Sequence, residues 1–427
     1  MDSNVAAGEY TGAAVLAING KIIEVPIQIH IYDVQMPEQV HSKTAFEIWY
    51  DYIDEGEGTG SQAMDEAYYN YLVNKRIMPT SISDNLRSDI HTYVNYVAEN
   101  LAGDPKISSY AILYGTDSSS GIKRLDSAYM TSVLTAMIEK NIALRKAGDN
   151  SIDLFKKGYF YFGSICDEPR PYNEDRTDEE LVLECDQILA DAKESLVYLL
   201  ADYPDLQESL MAIPHIVTAH RYDAIDNGMH TYCPRLDDFK EADYVGENVW
   251  WYGCLDPETP YPTYHLNDEL ITSRVMSWMQ YDYHVSGNLY WCVNYYYDRA
   301  ADGSLSVRDF WNDPSPLIGQ PGDGYLLYPG KDYGVYGPIG TMRLESIREG
   351  NEDYEYFWMF EQNIAKYNQE KGTAYDADTL LQTFFAGLYE GMYPNTDSAA
   401  FAQQRIRLLE VLEQMNTDLD TAVESLI

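Results

Sequence analysis

Two stretches of alternating apolar and polar residues near the start of the chain predict a β-hairpin. Both lie within residues 10–33, and Asn19-Gly20 between them is a strong signal for a two-residue turn. Ile27 and Ile29 alternate with polar neighbours, so we expect the hairpin to bury one face. Because two strands are not stable alone, the hairpin either packs on the next domain or ends a larger β-sandwich.

From about residue 43 the apolar pattern alternates between strand and helix periodicity. Helical stripes such as Ile90, Val94 and Val97 separate the first strands, and only some later connections have room for a full helix. Such alternation predicts an α/β fold, a (β/α)8 TIM-type barrel with a degenerate second half. The eight predicted strands are 44–50, 77–82, 107–114, 159–166, 213–219, 229–233, 249–253 and 288–295.

The end of the chain is predicted to be helical. Phe401, Leu408 and Leu412 recur at helical spacing and mark one apolar face. We therefore expect three parts: a short N-terminal β-element that is the remnant of a β-sandwich (1–40), a catalytic barrel (41–340), and a helical C-terminal segment packed on the barrel (341–427).

Composition restricts the partners. The chain has 427 residues, 69 acidic against 29 basic, and a formal net charge of -40, which argues against nucleic acid or an anionic membrane as a partner. Its 39 tyrosines and 7 tryptophans combine flat apolar faces with polar tips, which suits a glycan partner. The oligomeric state is left open.

Cysteine and histidine spacing gives no metal or cofactor signal. The spacing of His215, Asp223, Asp226 and His230 matches no metal site, so we expect neither a metal nor a cofactor. No apolar run reaches the roughly 18 residues of a membrane span, and the first residues are not a signal peptide. We interpret the five cysteines as buried thiols: Cys166, Cys185, Cys233, Cys254 and Cys292.

The strongest chemical signal is an acid pair at the end of the fourth predicted strand. The aromatic run from Tyr159 to Cys166 stops at Asp167 and Glu168, and Pro169 follows. Adjacent carboxylates raise one pKa, which places a protonated acid beside an ionised base, as the hydrolysis of a glycosidic bond requires. The alternative is that the two acids only mark a strand-to-loop exit.

Adjacent side chains in a strand point to opposite faces, so this pair suits a division of labour other than the usual two carboxylates on separate strands. Glu168 would protonate the leaving oxygen. Asp167 would hold a substrate group that acts as the nucleophile, and the carbonyl oxygen of a 2-acetamido sugar is such a group.

Three motifs in order carry a family resemblance: Asp167-Glu168-Pro169, the glycine-rich run 322–330, and residues 342–356. From about residue 8 to about residue 365 the chain resembles glycoside hydrolase family 123 and its bacterial relatives. Known members are β-N-acetylgalactosaminidases with an N-terminal β-sandwich and a TIM barrel. This chain departs from the family by lacking most of the sandwich. The resemblance implies that Asp167 orients the 2-acetamido group and that Glu168 is the general acid/base.

Further side chains at the predicted strand ends are candidates for substrate binding. Aromatic residues could form a platform for the sugar, and polar ones could bind its hydroxyls. The alternatives are a place in the core for the aromatic residues, ordinary surface contacts for His220 and Arg221, and turn capping for the aspartate. The candidates are Trp250, Trp251, Tyr252, Trp291, Asn294, Tyr295, His220, Arg221 and Asp323.

The sequence therefore predicts a glycoside hydrolase that removes terminal β-linked 2-acetamido sugars, N-acetylgalactosamine above others, with retention and by substrate assistance. One alternative is a glycosidase of the same fold that acts on sugars without an acetamido group, with Asp256 as the nearest candidate nucleophile. Another is a carbohydrate-binding barrel without catalysis.

Overall fold

The computed structural model describes residues 5–169, 177–295, 297–300, 302–309, 312–315 and 320–427. The chain divides into two compact units. One comprises residues 1–37, 352–389 and 397–427, and the other comprises residues 38–351 and 390–396. In the described parts of the chain, no helix is long and apolar enough to cross a bilayer.

Strands and helices alternate through most of the chain. The strands are β1 Gly8–Ile18, β2 Lys21–Ile31, β3 Thr44–Phe46, β4 Tyr110–Ala111, β5 Thr116–Asp117, β6 Arg124–Leu125, β7 Gly158–Tyr161, β8 His215–Val217, β9 Thr231–Tyr232, β10 Trp250–Gly253, β11 Gly287–Tyr290, β12 Tyr297–Arg299, β13 Leu305–Val307, β14 Leu327–Pro329, β15 Pro338–Gly340, β16 Tyr389–Glu390 and β17 Tyr393–Pro394. The helices are α1 Tyr50–Glu57, α2 Gln62–Val73, α3 Ile90–Tyr96, α4 Ser127–Lys146, α5 Gly163–Cys166, α6 Thr177–Leu196, α7 Pro204–Ala212, α8 Thr272–Asp282, α9 Met342–Lys371, α10 Ala377–Phe385, α11 Ser398–Thr417 and α12 Leu419–Glu424.

The N-terminal hairpin forms as its sequence predicts. β1 and β2 pair antiparallel around Asn19 and Gly20, whose φ angles of 50° and 76° match the two-residue turn. The expectation of a buried face is wrong, because Ile27 and Ile29 are 42% and 40% exposed. A two-stranded ribbon has no second layer to cover either face. At its end the backbone N–H of Asp33 donates to Glu413 of α11, 2.7 Å away.

The larger unit contains two parallel sheets. One has the order β4-β7-β8-β9 and the other β10-β11-β3. Two isolated parallel bridges join Phe46 to Pro79 and Arg235 to Tyr252. The mixed α/β class is therefore confirmed. Within the described residues the parallel strands form these two sheets and no closed barrel, and they are shorter than predicted: residues 77–82 contribute one bridge and no strand.

The strand before the acid pair ends earlier than predicted. β7 stops at Tyr161, and the helical turn α5 follows, in which Ile165 and Cys166 donate backbone hydrogen bonds to the carbonyl of Phe162. Gly163 permits this turn, because a Cβ there would lie 2.7 Å from the ring of Tyr161. The two acids thus follow a helical turn and not the tip of a strand.

The two parallel sheets share one apolar core. Alternate residues of their strands point into it. Tyr159 of β7 packs with Trp250 of β10 at 5.1 Å between ring centroids. The cluster consists of Ala45, Tyr159, Ile216, Cys233, Trp250, Tyr252 and Leu289.

A buried ion network supports β8 from outside this core. Asp186 of α6 is 2% exposed and accepts hydrogen bonds from His215 (2.7 Å), His230 (2.8 Å) and Asn227 (2.8 Å). Burial alone would raise the pKa of Asp186, but the two imidazoles outweigh it and hold that pKa well below its usual range. Burial by itself would lower the pKa of His215, but the hydrogen bond to Asp186 and the charge of Asp186 raise it, and the net shift is upward. His215 and His230 thus both bind the carboxylate of Asp186.

We predict that Asp186→Asn lowers the free energy of unfolding by about 3 kcal/mol, because it leaves the buried imidazoles without their anion. The depressed pKa of Asp186 stabilises the fold above the ordinary aspartate pKa, and the raised pKa of His215 stabilises it below the ordinary histidine pKa. Both contributions are complete between about pH 4 and about pH 6.5. Urea unfolding in this window measures the loss. Asp191→Asn, on the exposed side of the same helix, should cost only a few tenths of a kcal/mol; equal effects of the two substitutions would contradict the prediction.

Candidate active site

Two neighbouring strand ends hold Asp167. Its Oδ1 accepts hydrogen bonds from the hydroxyl of Tyr161 at 3.0 Å and from Oγ1 of Thr218 at 2.9 Å. Tyr161 is the last residue of β7, and Thr218 directly follows β8. Among the described residues no side chain donates to Oδ2 of Asp167. That oxygen is available to accept a hydrogen bond from a ligand.

The same threonine fixes Glu168. The backbone N–H of Glu168 donates to Oγ1 of Thr218 at 3.0 Å, so a single hydroxyl contacts both acidic residues. Oε1 of Glu168 accepts from the hydroxyl of Tyr252 at 2.7 Å. Glu168 has a φ of 44°, a left-handed conformation that costs a non-glycine residue free energy and that clusters at functional sites.

The environment of Asp167 disfavours its charge. Desolvation by the surrounding protein raises its pKa, and the charge of Glu168 raises it further, while the hydrogen bonds from Thr218 and Tyr161 act in the opposite direction. The adjacency of the two acids predicted that one pKa of the pair would be raised. The raised pKa belongs to Asp167, the residue that lies on the wall of a cavity.

This cavity, of about 580 Å³, lies at the carboxyl ends of β3, β7 and β11. It has the size of a small-molecule site. Its walls combine aromatic rings with a few charged groups, which include Trp49, Tyr290, Trp291, Glu47, Arg87 and Asp167.

Asp323 anchors one aromatic wall of the cavity. The indole Nε1 of Trp291 lies 3.0 Å from both carboxylate oxygens of Asp323, and the hydroxyl of Tyr290 donates to Oδ1 at 3.0 Å. Asp323 is fully buried, and burial raises its pKa. The sequence left two alternatives for Asp323, a hydrogen bond to a sugar hydroxyl and capping of its own turn. In the structure its carboxylate fixes the orientation of Trp291.

The other predicted aromatic residues divide between the core and the site. Trp250 and Trp251 are buried among core side chains and do not line the cavity. Tyr252 contacts Glu168 directly. Tyr295 packs on Trp291 at 5.0 Å between ring centroids.

Three predicted polar residues make contacts within the protein. Asn294 is buried and exchanges two hydrogen bonds with the backbone of Trp49, at 3.0 and 2.9 Å. Arg221 pairs with Glu247 and lies over the rings of Tyr232 and Tyr244, as a lone surface arginine would. The imidazole of His220 is 3.9 Å from Asp238. Binding of substrate by these residues stays a prediction.

Sequence reasoning missed Tyr161, Thr218 and Glu47. Thr218 and Glu47 directly follow the observed strands β8 and β3, but both lie inside the longer predicted strands 213–219 and 44–50. A polar residue near the carboxyl end of a predicted parallel strand was the available signal. Tyr161 resembled an ordinary strand aromatic. Its role follows only from the turn that brings Asp167 back over β7.

An acid pair beside a cavity with aromatic walls, on an α/β fold, is typical of a glycosidase. A family model described as "Glycoside hydrolase 123, catalytic domain" matches residues 104–360. The chain belongs to glycoside hydrolase family 123, which supports a glycosidase activity on a glycan substrate.

Solved structures agree at the level of the fold. A family 123 glycoside hydrolase from Clostridium perfringens, described in a study of glycolipid glycan hydrolysis, matches with a TM-score of 0.50 and 15% identity over 99% of this chain and 77% of that chain. A β-glucuronidase from Parabacteroides merdae matches with a TM-score of 0.26 and 10% identity over 66% of this chain and 36% of that chain, too weakly to carry an argument. A search of curated proteins found no match.

We predict that Asp167→Asn does not destabilise the protein at neutral pH. The raised pKa means that the folded protein loses stability as pH rises from the ordinary aspartate pKa, about 4, through the folded value, so the ionised carboxylate is net destabilising. The amide oxygen can still accept from Thr218 and Tyr161. Urea unfolding from pH 4 to pH 8 should show an equal or higher midpoint than wild type at pH 7, with the difference vanishing toward pH 4.

Asp223→Asn, at an exposed position, is the matched control and should leave the midpoint of urea unfolding unchanged at both pH 4 and pH 7. A clearly lower midpoint for Asp167→Asn at pH 7 would indicate that the carboxylate serves the fold and not the chemistry.

Proposed function

We propose that the protein removes terminal β-linked 2-acetamido sugars, N-acetylgalactosamine above others, from glycans, with retention of anomeric configuration and without a metal. The observation that carries the proposal is the position of Asp167 next to Glu168 at the wall of a cavity: two side chains hold one oxygen, and among the described residues no side chain donates to the other. Membership of family 123 supports it, as does the glycolipid glycan activity described for the Clostridium perfringens structure.

In the first step the carbonyl oxygen of the 2-acetamido group attacks the anomeric carbon. Oδ2 of Asp167 accepts a hydrogen bond from the acetamido N–H, which orients the group and stabilises the positive charge that develops on it. The bond to the leaving oxygen breaks, and Glu168 donates a proton to that oxygen. The product is a cyclic oxazolinium and a free alcohol.

In the second step Glu168, now ionised, removes a proton from water, and the water oxygen attacks the anomeric carbon from the side that the leaving group vacated. The ring of the oxazolinium opens and restores the acetamido group. Two inversions give net retention. The hydroxyl of Tyr252, 2.7 Å from Glu168, donates to its Oε1 and holds the carboxylate in place for both steps.

Trp291 supports the proposal as a platform for the sugar. Its indole lines the cavity and is oriented by Asp323. The apolar face of a sugar ring packs on such a surface. Because the Trp291 side chain is fixed before substrate arrives, little conformational entropy is lost on binding.

We also propose that the strands of the larger unit close into a (β/α)8 barrel within residues 41–340. On one side, β3 bridges to Pro79, and the backbone N–H of Ala111 in β4 donates to the carbonyl of Thr80, which connects β3 to the four-stranded sheet. On the other side, Arg235 bridges to β10, which pairs through β11 with β3. The shared apolar cluster of both sheets supports a barrel interior. The carboxyl ends of such strands are where barrel enzymes hold their active sites.

We predict that the protein releases nitrophenol from an aryl β-N-acetylgalactosaminide and that Glu168→Gln lowers kcat/KM by about 10²–10⁴-fold. Asp167→Asn should lower it by at least about 100-fold through loss of charge stabilisation. The plain aryl β-galactoside, which has no acetamido group, should not be cleaved. Glu99→Gln, an exposed carboxylate on another helix, is the control and should match wild type.

Cleavage of the plain galactoside at a similar rate would contradict substrate assistance and direct attention to a separate nucleophile such as Asp256. Binding of the acetamido sugar without turnover would instead support a carbohydrate-binding protein.

A further inference from the structure

A second charged pair lies in the same cavity as Asp167. Glu47 directly follows β3, and Arg87 ends the 3-10 turn Asp84–Arg87; both side chains line the cavity wall. Neither has a part in the steps proposed for Asp167 and Glu168. Glu47 and Arg87 are therefore available to contact a part of the ligand other than its 2-acetamido group.

Glu47 is rigidly placed. Its backbone N–H donates to the carbonyl of Tyr290 and its own carbonyl accepts from Val293, each at 3.0 Å. The hydroxyl of Ser81 holds the side chain by donating to Oε1 at 2.6 Å. Burial raises the pKa of Glu47, while the charge of Arg87 lowers it. The carboxylate is thus fixed in a partly desolvated place that a ligand can reach.

Arg87 has few partners. Among the described residues its guanidinium has one ion pair, a 3.6 Å contact with the exposed Asp84. No ion pair within 4 Å joins Arg87 to Glu47 in the part of the chain that the structure describes, although each charge acts on the other. Most of the five N–H donors of a guanidinium are therefore available in the cavity.

We propose that Glu47 and Arg87 together bind a ring hydroxyl of the neutral sugar whose 2-acetamido group lies at Asp167. A hydroxyl carries one donor and two acceptor lone pairs, so it can donate to a carboxylate and accept from a guanidinium at once. The inference rests on the proposed function and adds the residues that determine specificity.

The same pair disfavours an acidic sugar. Arg87 alone would attract a sulfate or a carboxylate, but Glu47 and Asp167 line the same cavity and repel an anion. The net charge of -40 acts in the same direction at longer range. The substrate residue that enters this cavity is therefore neutral, with its acetamido group and ring hydroxyls as the only polar groups recognised.

Deoxygenated substrates test the contact. The parent aryl N-acetylgalactosaminide and its 3-, 4- and 6-deoxy analogues are compared for wild type, Glu47→Gln and Arg87→Met. Wild type should cleave one analogue at least about 100-fold less efficiently than the parent, because the partly desolvated Glu47 and Arg87 then lack their partner. In both variants removal of that same hydroxyl should change kcat/KM by less than about threefold.

Glu99→Gln should reproduce the wild-type pattern, and thermal unfolding checks that each variant is folded. Glu47→Gln keeps the shape of the side chain and the bond from Ser81, and Arg87→Met changes an independent position on a surface turn. An aryl 6-sulfo-N-acetylgalactosaminide should be a poor substrate for wild type and a better one for Glu47→Gln.

Equal losses on deoxygenation in wild type and in both variants would overturn the inference while leaving the proposed function intact. Efficient cleavage of the sulfated substrate by wild type would do the same. A wild-type protein that neither cleaves nor binds the parent glycoside would overturn the proposed function and, with it, this inference.

Discussion

The hydroxyl of Thr218 is the contact on which the site depends. It donates to Asp167 and accepts from the backbone of Glu168, so the two acids keep one arrangement only while β7 and β8 stay paired. The left-handed backbone of Glu168 requires such a restraint, because an unrestrained residue would relax to a common conformation. Asp186 holds His215, three residues before Thr218, and therefore stabilises the strand that carries this hydroxyl.

The acids of this protein serve different purposes according to the donors around them. Asp186 is surrounded by imidazoles and stabilises the fold, and the buried Asp323 orients Trp291. In the described part of the chain, side chains donate to one oxygen of Asp167 only, and its pKa is raised, which fits the proposed role in binding a ligand at some cost in stability. Glu47 shares these features: the hydroxyl of Ser81 holds one oxygen, its pKa is raised, and it lines the same cavity. We propose that an incompletely hydrogen-bonded carboxylate at the cavity wall distinguishes the acids that bind a ligand from those that stabilise the fold.

The sequence predicted what short-range patterns specify. The Asn19-Gly20 turn, the C-terminal helices and the acid pair followed from local signals, and the family resemblance of residues 322–356 is confirmed by the family match. It did not predict contacts set by tertiary geometry. The helical turn α5 replaces the end of a predicted strand because Gly163 lets the chain pass over Tyr161, and only that turn brings Asp167 to Thr218. Likewise, nothing local distinguishes the core Trp250 from Trp291 in the cavity.

The most direct test of the account uses a bicyclic thiazoline analogue of the cyclised 2-acetamido sugar, which mimics the intermediate of substrate assistance. Titration calorimetry would compare its binding to wild type and to Asp167→Asn. The account predicts that wild type binds the analogue at least about 100-fold more tightly than the free sugar and that Asp167→Asn loses this preference. Equal affinity for the analogue and the free sugar in wild type would contradict it, since a site built for this intermediate must prefer its mimic.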